Sequence, residues 1–162
     1  MGPRRILCDE MLEGLARWLR AAGHDATTPH RGEPDQLLIA RAAVQDRLFL
    51  TRDRPILKHR AAAGLVVLLE TDDLDGQAAE LRDRLRLDWL HAPFSRCLKC
   101  NVPVHPASAA DLAALPETAR RLPGPFQRCP TCARVYWPGS HERRMRERLT
   151  AWARGKAEPM VR

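Results

Sequence analysis

The chain has 162 residues, 44% of them hydrophobic, and a formal net charge of +7. That length suits one ordinary domain, or one domain with a small module attached. No stretch approaches the roughly 20 apolar residues of a membrane span, and Met1-Gly2-Pro3-Arg4-Arg5 lacks the apolar segment of a secretory signal, so a cytoplasmic protein with no membrane contact is expected.

The first strand is expected at Ile6-Leu7-Cys8, followed directly by Asp9. A helix from Glu10 to Ala22 follows, with Leu12, Leu15, Ala16 and Leu19 at helical spacing and Glu13, Arg17 and Arg20 opposite. Gly23 stops it. A short strand near Asp25–Thr28 and a loop, His30 to Pro34, lead to a second helix begun by Asp35 and running from Gln36 to Gln45. Leu48-Phe49-Leu50-Thr51 reads as a buried central strand, with Asp53 as the first residue past its end, set between Arg52 and Arg54. A third helix, Pro55 to Ala63, a fourth strand, Leu65 to Leu69, and a fourth helix, Asp75 to Leu85, complete the alternation. Strands alternating with helices at this spacing predict β-α-β units and a parallel sheet, hence an α/β fold.

The first domain is therefore placed at residues 1–90 and a second module at 96–155, joined by His91-Ala92-Pro93-Phe94-Ser95. The second module holds a Pro/Ala-rich middle, with a short helix expected between Ala107 and Ala119. A basic helix, His141 to Ala153, then follows, with Ser140 as its cap and a frayed tail after Gly155. Charge divides along the same line. Residues 1–95 hold 14 Lys/Arg against 15 Asp/Glu, and residues 96–162 hold 13 against 5. A basic module beside a near-neutral one points to a polyanion, most simply nucleic acid. The plainer alternative is a solubilising surface.

Asp9 and Asp53 follow parallel strands, and Asp35 opens the helix that leads back into the central strand, so all three face one edge of the sheet. Crowded carboxylates repel unless a cation or proton lies between them. The cation suited to such a group is Mg²⁺ or Mn²⁺, hard ions that prefer carboxylate oxygen and water. The plain alternative is that each aspartate caps a helix. Arg52 and Arg54 are placed to neutralise a phosphate, as are Arg17, Arg20, Arg143 and Arg144 to contact RNA.

Four of the five cysteines form two C-x2-C pairs, Cys97/Cys100 and Cys129/Cys132, with 28 residues between the pairs. In a chain read as cytosolic this means metal ahead of disulfide. Four thiolates close a tetrahedral site, so the ion expected is a structural zinc. It would hold a segment too rich in Pro and Ala for a core of its own. Asn101 suits the left-handed position after a knuckle better than Ala133 does. Tyr136 and Trp137 suit either the small core of this module or stacking on bases. His141 suits a catalytic or RNA-contacting role, or a capping or surface one.

The stretches DEMLEGLARWLRAAGHD (9–25), the helix from Asp35, LTRD (50–53), CLKC (97–100) and FQRCPTCARVYWPGSH (126–141) resemble the Mut-seven C-terminal RNase family. The resemblance covers residues 4 to about 149. It implies a PIN-like nuclease domain, metal-dependent RNase activity, a fused zinc ribbon, and Asp9, Asp35 and Asp53 as the acidic positions. Many PIN nucleases carry a further acid, for which Glu33 is the nearest substitute here. Two other functions compete with a ribonuclease. One is a non-catalytic RNA-binding or ribosome-associated adaptor on the same fold. The other is a phospho-receiver domain, which needs a lysine at a later strand end. Lys58, Lys99 and Lys156 do not fit that position.

Overall fold

The structure is a computed structural model and describes residues 5–155. Four parallel strands, β1 (Arg5–Cys8), β2 (Asp25–Thr27), β3 (Leu48–Thr51) and β4 (Val66–Leu68), form a sheet of order β2-β1-β3-β4. Register pairs Leu7 with Phe49 and Leu50 with Val67. Side chains alternate across a strand, and the core divides accordingly. Ile6, Cys8 and Leu50 pack with α1 (Glu13–Ala21), α3 (Leu74–Leu85) and α6 (Ser140–Arg154) on one face. Leu7 and Phe49 pack with Leu38 and Ile39 of α2 (Asp35–Val44) on the other. The α/β reading with a parallel sheet flanked by helices is correct.

Local structure departs from expectation at several points. The first helix opens as a 3₁₀ turn, Glu10–Leu12, before α1 begins. The segment expected to be a third α-helix is two 3₁₀ turns, Arg54–Lys58 and Arg60–Ala62. Its buried anchors, Ile56 and Ala62, are six residues apart. His59, extended at ψ 123°, breaks the segment between them, so each turn sets its own anchor into the core. β3 ends at Thr51, so Asp53 is the second residue beyond it. β4 is half-buried rather than covered, because it is an edge strand.

After α3 the chain returns along the end of α1. Ala92 N–H donates to Ala22 O (2.9 Å) and Phe94 N–H to Ala21 O (2.8 Å). Gly23, at φ +95°, lies directly under this crossing. His24 is buried beside it, its Nε2 on Asp88 O (2.8 Å), its ring stacked on His91, its Nδ1 without a partner. Burial lowers the pKa of His24, ahead of the opposing effect of the Asp88 hydrogen bond. A histidine held neutral in the fold stabilises it fully above the unfolded value near 6.5, and that stability is lost as pH falls towards the folded value. Thermal stability is therefore expected to decline as pH falls below about 6.5, and His24→Gln should flatten that decline. Identical pH slopes for the two proteins in calorimetry would refute the assignment.

The second module is a three-stranded antiparallel sheet, β5 (His105–Pro106), β6 (Gln127–Arg128) and β7 (Val135–Tyr136). The expected short helix is split at Pro116 into α4 (Ala109–Ala113) and α5 (Glu117–Arg120). Gly139, not Ser140, is the residue before α6. The tail beyond Gly155 lies outside the described residues. α6 packs Met145, Leu149 and Trp152 into the main core, where Trp152 meets Trp18 and Trp89 at 4.9 and 4.8 Å between ring centroids.

Candidate functional site

Strand order reverses between β1 and β3, and in open parallel sheets ligands bind outside the carboxyl ends of strands at such a point. Asp9 and Asp53 flank it. Thr51, fully buried, joins them. Its hydroxyl donates to Asp9 Oδ2 (2.5 Å) and accepts from the Asp53 backbone N–H (2.9 Å). The other Asp9 oxygen, Oδ1, accepts from Glu10 N–H (2.7 Å), so Asp9 does cap the first turn. Asp53 and Asp35 do not cap: neither gives a side-chain cap bond. Among the described residues their half-buried carboxylates have no hydrogen-bond or ion-pair partner. Asp35 lies in the first turn of α2, whose N-terminus topology places at the same edge.

The three aspartates are not gathered as closely as the thiols. Among the described residues, the group of three or more acidic, His or Cys side chains close enough for a metal ion is Cys97, Cys100, Cys129 and Cys132, with ligand atoms all within 4.8 Å. Cys97 and Cys132 sulfurs are 3.8 Å apart, about the edge of a tetrahedron with 2.3 Å zinc–sulfur bonds. The two knuckles repeat one another. Cys100 N–H points to Cys97 Sγ (3.3 Å) and Cys132 N–H to Cys129 Sγ (3.4 Å). Asn101 and Ala133 follow at φ 65° and 61°, so Ala133 accepts the left-handed position despite its Cβ. This donor set fits a metal such as zinc. Burial opposes ionisation of Cys97, but hydrogen bonds from the Tyr136 hydroxyl and from Cys100 and Lys99 N–H outweigh it and bring the thiol to about 6. Burial, then the Cys132 hydrogen bond and the Cys97 charge, push Cys100 up to about 12.

The arginines divide. Arg52, Arg143 and Arg144 are exposed and unpartnered among the described residues. Arg17 is exposed and touches His141 Nε2 (3.3 Å). Arg54 is ion-paired with Glu70. Arg20 is not available to RNA: it is 7% exposed, and its guanidinium donates to Ala26 O (2.7 Å), Leu98 O (3.0 Å) and Lys99 O (3.1 Å). Its place on the helix marked it as solvent-facing, but the first knuckle covers that face. α6 is less basic in effect than its sequence. Arg146 pairs with Glu142 and Arg148 with Asp75, and both lie over aromatic rings. Glu33 is tied to Arg41 (3.2 Å) and His30 N–H (3.1 Å).

Sequence reasoning passed over two residues. Thr51 was read only as a strand end; its signal was a hydroxyl on an otherwise apolar run beside Asp9. Asp25 accepts from both Arg47 nitrogens (2.8 and 3.1 Å) and from Asn101 Nδ2 (2.7 Å). Burial raises its pKa, but these bonds prevail and lower it. Asn101 also accepts from Ala26 N–H (2.9 Å), so the first knuckle docks on the free edge of β2.

Among the described residues no helix is long and apolar enough to cross a membrane. No solved structure matches the chain. The human protein named Exonuclease mut-7 homolog is 37% identical over 101 residues, covering 60% of this chain but 12% of that protein. The model of the Mut7-C RNAse domain matches residues 4–149. The match spans nearly the whole length, sheet and knuckles together, and on it the chain belongs to the Mut7-C RNAse domain family.

Proposed function

We propose that the chain is a metal-dependent ribonuclease whose catalytic carboxylates are Asp9, Asp35 and Asp53, with a structural zinc on the four cysteines. The observation that carries this is the Thr51 link, which fixes Asp9 against the Asp53 backbone at the switch point. The partnerless carboxylates of Asp35 and Asp53 suit the role, since acids serving only as caps would be engaged. These three residues would hold Mg²⁺ or Mn²⁺, which when bound lowers the pKa of a water and offsets charge at phosphorus. Arg52 neutralises the approaching phosphate. Arg17, Arg143 and Arg144 track the backbone, and their contribution falls with salt. The parallel sheet with its acidic edge supports a PIN-like reading of residues 1–90, with 96–155 as the RNA-holding module. Water as nucleophile leaves a 5′-phosphate on the downstream product.

Labelled single-stranded RNA incubated with Mn²⁺ or Mg²⁺ should be cleaved, and Asp53→Asn should slow cleavage by about 100-fold or more. Equal rates for the two proteins would remove the site. The looser spacing of the aspartates favours a second reading, an RNA-binding adaptor. Its mark would be RNA affinity with no metal-dependent turnover.

A further inference from the structure

A cavity of about 320 Å³ opens between α1, β7 and the start of α6, and none of Asp9, Asp35 and Asp53 lines it. Such a volume is at the small end of organic-ligand sites. Its walls combine three rings, Phe94, Tyr136 and Trp137, with three cationic or cation-forming side chains, Arg17, Arg134 and His141. That pairing of flat apolar faces with positive charge is what binds the exposed bases of a single strand.

The rings are held for the purpose. The Tyr136 hydroxyl is fixed by Cys97 Sγ and Leu98 N–H, each at 3.1 Å. Phe94 stands at φ 62°, a conformation a bulky residue rarely adopts, and its backbone is pinned on Ala21 O. Arg146 lies 4.9 Å over its ring. The one acid on the wall, Glu142, is already neutralised by Arg146 (2.8 Å). Arg134 is exposed and has no side-chain partner among the described residues. Trp137 is half-exposed, and its indole N–H is likewise unpartnered.

The cavity also continues towards the start of α1. A second depression shares Arg17, Leu98 and Arg134 with it, and continues past Gly14 and Lys99 to Glu13 in the first turn of α1. That turn follows Asp9 by one 3₁₀ turn. A Cβ on Gly14 would meet nothing within 4 Å, so the floor there is open. Arg17 is about 6 Å along the helix axis from Glu13.

We propose that this cavity is a nucleobase subsite, in which Trp137 stacks on a base of single-stranded RNA whose backbone runs along Arg17 and Arg134 towards Asp9. It rests on the reading of RNA as substrate, though not on catalysis. Binding of a fluorescein-labelled single-stranded RNA to the zinc-loaded full chain is measured by anisotropy without added Mg²⁺ or Mn²⁺. Trp137→Ala should weaken it roughly ten-fold, the size of one lost stack, and Trp137→Phe should restore most of it. An abasic strand of equal length should bind the intact protein no better than the normal strand binds Trp137→Ala. Arg17→Ala with Arg134→Ala should reduce the salt dependence. Unchanged affinity in Trp137→Ala, equal weakening in Trp137→Phe, tight binding of the abasic strand, or the same Trp137 dependence for duplex RNA would each overturn the proposal. Cleavage lost in Asp53→Asn while Trp137→Ala binds normally would remove the subsite and leave the catalytic reading. The reverse pattern would remove the catalytic site alone.

Discussion

Cys129→Ser is expected to lose the bound metal and several kcal/mol of stability, the largest effect of any single substitution in the second module. The reason is how little else holds that module. Between residues 99 and 139 only Ala119 and Cys129 are buried, and each of its strands is two residues long. So small an apolar core cannot offset about 40 ordered residues at 1–2 kcal/mol each. Structural zinc supplies an apparent 10–16 kcal/mol in small metal-folded units, more than any other single interaction available to this segment. The damage should reach further than the knuckles. Leu98 packs in the same core as Met145 and Trp152, so the near-UV signal of the tryptophans should change as well. A chelator should reproduce the variant. A protein that keeps its melting temperature with Ser at 129, or after chelation, would show that the thiols carry no structural metal.

Gly23→Ala should cost about 3–5 kcal/mol and lower Tm by roughly 10 °C. Two effects combine. At φ +95° an alanine is strained before any contact is considered. Its Cβ would then lie 2.3 Å from Ala92 O, backbone that cannot swing aside as a side chain can. Relief requires breaking the Ala92-to-Ala22 and Phe94-to-Ala21 hydrogen bonds that seat the junction. Gly14→Ala, in the first turn of α1, is the control. It meets open space, and should add about 0.5–1 kcal/mol from helix propensity alone. Chemical denaturation of both variants tests the pair; a small loss at Gly23 would mean that the crossing is not held as tightly as its geometry indicates.

What could be read from the residues, and what could not, follows from how local each signal is. Leu48–Thr51 declared itself, because a buried parallel strand is a continuous apolar run. So did the knuckles, because thiol spacing is itself the geometry. Arg20 was misplaced because helical periodicity reports which side of α1 a residue occupies, not what covers that side. The first knuckle arrives from nearly 80 residues away to supply the carbonyls. The basic helix expected at His141 to Ala153 was overcounted as free charge for the same reason: Asp75 of α3 holds Arg148, and rings from other segments lie under Arg146 and Arg148. The 3₁₀ turns after Asp53 were missed because a helical window does not distinguish a period of three from 3.6 over so few residues. The shared edge expected for Asp9, Asp35 and Asp53 rests on parallel strands with a helix running back between them. The hydroxyl of Thr51 that joins two of them was not legible, because it depends on rotamers across neighbouring strands.

The three carbonyls gathered by Arg20 have a mechanical consequence. One carbonyl belongs to β2 and two to the first knuckle, so a single planar fork bolts the cysteine-bearing segment to the sheet at a set height. Leu98 and Lys99 also wall the depression that holds Glu13 and Arg17, so the same fork sets where that wall stands against α1.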